Sequence, residues 1–185
     1  MAYLGTRPVA PPMTGPAAIA PLGESVMAET TVESVCCPPF DPVHWREREW
    51  TWHEKLFVRD RVRSVMHIPL NFGAVMTRNR LRIDAEQAGT PEQLVLADEV
   101  SLFATDLYLE VTKAVPGASM ARLSGDFLAQ PFEGAYRAIP NWIKVMRGLV
   151  AERGKELKHL YFYYPLCPTC AAHYGKNYVV IIAQI

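Results

Sequence analysis

The chain has 185 residues, of which 50% are hydrophobic and 21% charged, and its 19 basic residues are balanced by 19 acidic ones. This length suffices for one compact domain with a hydrophobic core. The lack of surplus Lys and Arg argues against a nucleic-acid partner bound through a basic face. No apolar run approaches the roughly 20 residues that span a bilayer, so we expect a soluble protein with no membrane partner.

The first 35 residues differ in composition from the rest of the chain. They hold five of the 15 prolines but only one aromatic residue, Tyr3. Such a segment cannot bury enough apolar surface to offset its conformational entropy. We therefore predict a disordered proline-rich arm over 1–35 and a folded domain over 36–185. The arm lacks the continuous apolar core of a secretory signal, which favours a cytoplasmic location.

Helices and strands are predicted from hydrophobic periodicity and from the residues that begin and end each element. β-branched and aromatic residues predict the first strand, which ends at Pro69. Asn71 and Gly89 delimit the first helix, and Pro140 and Gly154 the second. The predicted elements are, in chain order, a strand over 50–70, a helix over 71–89, strands over 94–97, 106–112 and 120–129, a helix over 140–154, and strands over 160–164 and 178–183.

This order repeats a strand-helix-strand-strand unit. A repeated unit indicates an internal duplication, in which both helices cover the same side of one sheet. We therefore expect an α+β fold made of tandem duplicated strand-helix-strand-strand units, with an antiparallel sheet and helices on one face.

Strand alternation assigns side chains to the two faces of this sheet. Leu107 and Leu109 should face the helices, so Tyr108 faces away from them. The same reasoning places Tyr161 and Tyr163 on the side away from the helices, with Phe132 and Glu133 nearby. Rigid rings around a carboxylate suit flat or cationic ligands. The alternative is that these tyrosines only cover an open sheet face.

The four cysteines occur as two pairs, Cys36 with Cys37 and Cys167 with Cys170. A zinc site would need all four thiolates around one ion, yet the two pairs are far apart in sequence and adjacent cysteines are awkward co-ligands. Free thiols in a reducing cytoplasm are therefore the expectation, with structural zinc as the alternative. We predict no metal and no organic cofactor.

The histidines show no metal-binding spacing, and the chain has no nucleophile elbow, phosphate loop or dinucleotide fingerprint. His67, in the strand before Pro69, is the histidine expected to reach the interior.

From Cys36 onward the chain resembles the GyrI-like small-molecule-binding proteins. The resemblance lies in the segments CCPPFDP, KLFVRDRVRSVMHIPLNFG, DLYLEV, PFEGAY and LYFYYPLCPTCAAHYGKNYVV. It implies tandem strand-helix-strand-strand units around a central cleft that binds hydrophobic cations and other flat xenobiotics. One subfamily, the cyclopropanoid cyclopropyl hydrolases, opens the cyclopropane of DNA-alkylating natural products of the yatakemycin and CC-1065 type within an aromatic cage, which gives self-resistance.

The resemblance also implies a set of site residues. The residues that would line the cleft are Tyr108, Phe132, Glu133, Tyr161 and Tyr163. The resemblance adds Glu99, Trp142 and Phe103 to this set. Many relatives have Trp at the position of Phe103. Glu99 or Glu133 would orient or deprotonate a water, and Tyr161 or Tyr163 would donate to the dienone oxygen.

Two other functions stay open. One is a non-catalytic protein that sequesters flat or cationic hydrophobic ligands, and the other is an inhibitor of DNA gyrase, which the family name alone suggests. We expect the hydrolase, without a cofactor and with a small aromatic molecule as its partner.

Overall fold

The computed structural model describes residues 36–65 and 68–185. The predicted arm over 1–35 and His67 lie outside the described residues. No helix in the described part of the chain is both long and apolar enough to cross a membrane.

Strands dominate the described part. The helices are α1 (Phe72–Ala85), α2 (Ile139–Glu152) and α3 (Pro168–Tyr174), with short 3-10 helices at Pro42–Trp45 and Tyr136–Ala138. The strands are β1 (Arg48–Val65), β2 (Ile68–Pro69), β3 (Val95–Ser101), β4 (Ala104–Glu110), β5 (Ser119–Glu133), β6 (His159–Tyr163) and β7 (Tyr178–Gln184). The predicted elements are confirmed in type and order, with α3 and the two-residue β2 as additions.

The sheet closes on itself. Its order is β2-β1-β4-β3-β6-β7-β5, and a further pairing of β1 with β5 closes six of the strands into an antiparallel barrel. The predicted α+β class and antiparallel pairing are confirmed, whereas the expected open sheet is a closed barrel. β1 pairs with β5 from Arg48 to Arg59 and with β4 from Phe57 to Arg63, so one strand joins both ends of the sheet. The tandem duplication stays a prediction.

Two apolar layers lie on the two faces of the barrel wall. The outer layer packs against Val75 and Ile83 of α1 and against Met146 and Val150 of α2. The inner layer holds ten buried residues, Trp52, Phe57, Leu94, Leu96, Tyr108, Phe127, Ala129, Tyr161, Val180 and Ile182. Burying a large apolar side chain contributes about 1.5–3 kcal/mol, so both layers stabilise the barrel. The two predicted faces of each strand therefore correspond to the inside and outside of a barrel.

The positions of the two long helices determine which part of the outer wall stays open. α1 packs on β1, and α2 packs on β7 and β5. Between β1 and β7 lie β4, β3 and β6, in that order around the barrel. Their outward-facing side chains therefore form the floor of a groove between the two helices, which we call the interhelical groove.

Candidate functional site

The interhelical groove is an open depression on the outer wall of the barrel, and one predicted site residue, Glu99, lines it. Its floor consists of outward-facing residues of the three central strands, namely Ala97, Glu99, Thr105, Leu107, Leu160 and Phe162. Its walls come from α1, from α2 and from the turn before α2, and include Phe72, Met76, Arg80, Tyr136, Ile139, Pro140, Ile143 and Arg147. The groove belongs to a connected open cavity of about 2410 Å³. Its lining is largely apolar and aromatic, as ligand sites for small molecules are.

Glu99 places a carboxylate on this floor. It follows Ala97 by two positions on β3, so strand alternation puts both side chains on the outer face. Glu99 is half-buried. Burial of the Tyr164 phenol is the main reason that its pKa is raised, and the negative charge of Glu99 is the second reason. A negative charge therefore acts on a buried hydroxyl group.

Tyr164 also forms an aromatic pair with Tyr136. Their ring centroids are 5.8 Å apart at an interplanar angle of 79°. Burial raises the pKa of Tyr136, and burial also raises that of Tyr164 well above its ordinary value. Both phenols therefore keep their proton at neutral pH, and the hydroxyl of Tyr136 is engaged in a hydrogen bond with the side chain of Asn177.

The barrel interior, where the tyrosine site was predicted, is a packed core. Tyr108 and Tyr161 are only 8% and 6% exposed, and their rings meet edge to face with centroids 5.8 Å apart. Neither lines the cavity. Closing the barrel brings the inner faces of six strands together, so the rings fill the space that an open sheet would have left concave.

Tyr163 lies at the end of this interior, which we call the barrel mouth. Phe40 and Trp45 cover the mouth, with their ring centroids 6.5 Å and 5.2 Å from that of Tyr163. Trp45 also packs edge to face on Trp50, 6.1 Å away. All four residues line the cavity.

The other predicted site residues lie apart. Phe132 and Trp142 stack with centroids 5.5 Å apart and an interplanar angle of 14°, and their rings brace α2 rather than line the cavity. Glu133 is exposed and interacts with Tyr178. Phe103 is 62% exposed in the β3–β4 hairpin. Of the predicted residues, Glu99 lies in the interhelical groove and Tyr163 at the barrel mouth.

A charged cluster lies at the opposite end of the inner face. Asp106 is 1% exposed. It accepts hydrogen bonds from Arg59 and from Arg61, whose Nε lies 2.6 Å from Oδ1. These hydrogen bonds, that of Arg61 first, lower the pKa of Asp106. The guanidinium of Arg59 also lies 5.8 Å from the ring centroid of Tyr108. This cluster compensates a buried charge and leaves Asp106 no role in the groove.

The four cysteines are brought together in space. Their Sγ atoms all lie within 4.8 Å of one another, although Cys36 and Cys37 precede the barrel and Cys167 and Cys170 flank the start of α3. The two cysteine pairs are far apart in sequence, which argued against a metal site, but the fold brings them together. The amide of Cys170 donates to Cys167 Sγ, and this bond is the main reason that the pKa of Cys167 is lowered to about 7.

Sequence reasoning missed most of the groove. Tyr164 follows Phe162 by two residues, so extending the period-2 alternation to the end of the strand predicted over 160–164 would have placed it on the helix face. Tyr136 lies in the PFEGAY segment, where no regular strand or helix predicts its direction. Phe72 and Met76 lie at helical spacing on α1, a pattern that alone indicates packing on the barrel, yet Phe72 is 46% exposed and lines the groove.

Comparison with known proteins gives a family. The family profile described as Bacterial hydrolase matches residues 27–185. The chain belongs to this family of bacterial hydrolases. A search of curated protein sequences gave no significant match. Among solved structures, the chain is similar to SAV2435 bound to tetraphenylphosphonium, with 9% sequence identity and a TM-score of 0.47, over 75% of this chain and 93% of that one.

Proposed function

We propose that this bacterial hydrolase opens the cyclopropane of DNA-alkylating cyclopropanoid natural products of the yatakemycin and CC-1065 type, by adding water in the interhelical groove. The observation that carries the proposal is a carboxylate, Glu99, that lines the same groove as the phenols of Tyr136 and Tyr164 and whose charge acts on Tyr164. Membership of a hydrolase family and the resemblance to cyclopropyl hydrolases support it.

The groove suits a flat aromatic substrate. Leu160 is the partly exposed apolar residue of the floor, next to the buried ring of Phe162, and Phe72 and Ile143 stand on opposite walls. Such a ligand gains by burying its faces against these side chains, at about 25 cal/mol per Å² of apolar surface removed from water. Binding along the floor would bring one edge of the ligand next to Glu99.

The chemistry needs little more than positioning. In the substrate, a cyclopropane is conjugated to a cyclohexadienone. Water adds through its oxygen to the cyclopropane CH₂, and the bond from that carbon to the ring breaks. The bonding electron pair flows into the ring, which becomes an aromatic phenolate and then takes up a proton to give the phenol. The net change is the gain of one water, with no oxidation or reduction.

Glu99 and Tyr164 have complementary roles in this step. Glu99 orients the attacking water and accepts its proton as the C–O bond forms. Tyr164 donates a hydrogen bond to the dienone oxygen, where negative charge develops. Its raised pKa, caused by burial, keeps the donor proton in place. Tyr161 and Tyr163, the donors expected from the sequence, lie in the barrel interior and at its mouth.

The test is to incubate the full chain with a cyclopropanoid alkylator and follow the ligand by mass spectrometry. The expected product carries one added water. Glu99→Gln keeps the shape of the side chain but cannot accept a proton, so the turnover rate should fall by roughly 10²–10⁴-fold while ligand binding persists. The matched control is Glu152→Gln, an exposed carboxylate at the end of α2, which should keep the wild-type rate.

Three outcomes would overturn the proposal. If the wild-type chain binds the alkylator tightly and returns it unchanged, hydrolysis is wrong and sequestration is right. If Glu99→Gln turns over at the wild-type rate, the groove carboxylate is not the base. A larger loss in Glu133→Gln than in Glu99→Gln would move the site to the exposed end of β5.

A non-catalytic binder of cationic hydrophobic ligands is the second candidate. One observation favours it: a carboxylate among aromatic rings attracts an organic cation without any chemistry. Under this function, Glu99→Gln would weaken binding of a cationic dye and leave binding of a neutral dye of similar shape unchanged. Fluorescence titration of the two dyes tests the role of the charge, and the fate of the alkylator separates the two functions: a binder returns it unchanged, whereas the hydrolase adds one water.

A further inference from the structure

The four cysteine sulfurs have the dimensions of a metal site. Cys36 Sγ lies 3.5 Å from the Sγ atoms of Cys167 and of Cys170, and 3.8 Å from that of Cys37. Thiolates bound tetrahedrally at about 2.3 Å from a zinc ion lie about 3.8 Å from one another. A disulfide would instead bring two sulfurs to about 2.0 Å, and all four thiols are free.

The backbone around the cysteines supports ligation. Cys167 and Cys170 have the C-x₂-C spacing of structural zinc sites. The amide of Cys170 donates to Cys167 Sγ and the amide of Cys167 donates to Cys37 Sγ, both over 3.4 Å. Hydrogen bonds of this kind orient ligand sulfurs and stabilise their negative charge. Two of the sulfurs are thus oriented by the fold itself.

A packed shell surrounds the cluster on its protein side. Cys170, Leu166 and Tyr178 are buried together, and Phe40 and Tyr174 pack against them. The Tyr174 hydroxyl donates to the Cys37 carbonyl oxygen over 2.8 Å, which holds the segment that carries Cys36 and Cys37 in place. Cys36 is exposed, so an ion can reach the sulfurs from solvent.

We propose that Cys36, Cys37, Cys167 and Cys170 bind one Zn²⁺ as a structural site. Four protein thiolates complete a tetrahedral shell and leave no position for water, so the ion has no catalytic role. Soft thiolate donors select zinc, or iron in a mononuclear site, over the hard cations that prefer oxygen. This inference goes beyond the proposed function and is independent of it, because no step of the proposed reaction uses a cysteine or a metal ion.

The site would fasten the segment before β1 to the connection between β6 and β7. Phe40, three residues after Cys37, packs on Tyr178 with ring centroids 5.2 Å apart and reaches Tyr163 at the barrel mouth. Without the ion, this segment is held by the Tyr174 hydrogen bond and by ring contacts. Metal binding therefore stabilises the cover of the barrel mouth.

The first experiment measures metal in the full chain purified under reducing conditions without added chelator. Elemental analysis should find one zinc per chain. Removing the metal and adding Co²⁺ should give the sulfur-to-metal charge-transfer and strong visible bands of tetrahedral cobalt thiolate, which excess Zn²⁺ abolishes. The metal-free chain should unfold at a lower temperature than the zinc-bound chain, and adding zinc should restore the original unfolding temperature.

Variants add a second readout. Cys36→Ser changes an exposed residue, so the chain should fold, but its zinc content should become substoichiometric and its cobalt bands should weaken. Thr169→Ser, exposed within the same C-x₂-C segment, should keep one zinc per chain. Folding of each variant is checked by far-UV circular dichroism.

The proposal is overturned by any of three results. The first is a folded wild-type chain that neither contains zinc nor develops cobalt bands. The second is iron in place of zinc in the purified protein. The third is a disulfide between any two of the four cysteines, found by mass spectrometry in chain kept under reducing conditions.

Discussion

Asp60 on β1 joins the barrel to α1 through a single carboxylate. Its two oxygens accept hydrogen bonds from Arg78 Nε and Nη2 over 2.8 Å and 2.6 Å. The side-chain amide of Asn79, which is 1% exposed, donates to the same carboxylate over 2.6 Å. Arg78 contributes most to lowering the pKa of Asp60 from 3.8 to about 2.

This pairing predicts an acid-dependent loss of stability. The folded pKa lies below the unfolded one, so the contribution is complete above about pH 4 and is lost as pH falls towards about 2. Asp60→Asn should lower the free energy of unfolding by about 1–3 kcal/mol at neutral pH, and the difference from wild type should shrink between pH 4 and pH 2. Urea unfolding at a series of pH values measures it.

The control for this experiment is Asp84→Asn, on an exposed position of α1. It should change the free energy of unfolding by less than about 0.5 kcal/mol. A difference between Asp60→Asn and wild type that is equally large at pH 2 and pH 7 would show that the ion pair is not its cause.

At the residue scale, the sequence gives the direction of many side chains but not their accessibility. Alternation correctly placed Tyr108 and Tyr161 on the face opposite the helices. It could not tell that this face is closed off, because that depends on the pairing of β1 with β5, far apart in the chain. Glu99, which the family resemblance added to the predicted site residues, is the predicted carboxylate that lines the groove.

At the element scale, β1 carries a bulge within its pairing with β5, the pairing that closes the barrel. The register between β1 and β5 shifts between Trp52 and Lys55, where β1 carries an extra residue. Glu54 within this bulge has φ of +50°, and its amide donates to Ser124 Oγ over 2.9 Å. Opposite the bulge, Gly125 has φ of +121°, a conformation that side chains with a Cβ rarely adopt.

Gly125→Ala is therefore expected to destabilise the barrel. The backbone strain should cost about 1–3 kcal/mol, and the new Cβ would meet Gln184 Nε2 at 3.3 Å. Denaturant unfolding of the full chain measures the loss.

Gly148→Ala is the matched control. Gly148 lies on α2 with nothing within 4 Å of the new methyl group, so this change should stabilise the chain by about 0.5–1 kcal/mol through helix propensity. Equal effects of the two substitutions would mean that the bulge tolerates a Cβ.

Long elements were predictable because their periodic patterns extend over many residues. The strand predicted over 50–70 corresponds to β1, and the helix predicted over 140–154 corresponds to α2. α3 was missed because seven residues give too short a stretch for a helical period, although Pro168 at its start and Gly175 at its end are helix signals. Its position depends instead on the packing of Cys170 and Tyr178.

At the scale of the whole molecule, the barrel wall separates an inner face that is filled from an outer face that holds a groove. If the reaction takes place in the groove, Tyr164→Phe should lower the turnover rate by roughly 10²–10³-fold, because it removes a donor to the developing oxyanion. Tyr161→Phe should have the smaller effect, since its ring is buried in the inner layer.

The measurement is the rate of water addition to the alkylator for both variants, with unfolding temperature as the check on stability. A loss confined to Tyr161→Phe, in chain that is as stable as wild type, would place the reaction inside the barrel. The same result would require the inner rings to move apart when the ligand binds.

The amino-acid composition does not predict which strands pair or that the two cysteine pairs come together. Closure of the barrel and convergence of the two cysteine pairs both depend on contacts between segments far apart in sequence. Local patterns determine which residues can form strands, whereas register between distant strands determines which faces remain accessible.

The double pairing of β1 has a consequence for how the chain folds. β1 must find β4 and β5, both distant along the chain, and β7 must insert between β6 and β5 before the ring is complete. Loop-closure entropy opposes such pairings until they form together, so folding should be slow compared with that of a helical protein of this size. Until β7 arrives, β5 exposes an unpaired edge, and the newly made chain is open to association with other strands during that interval.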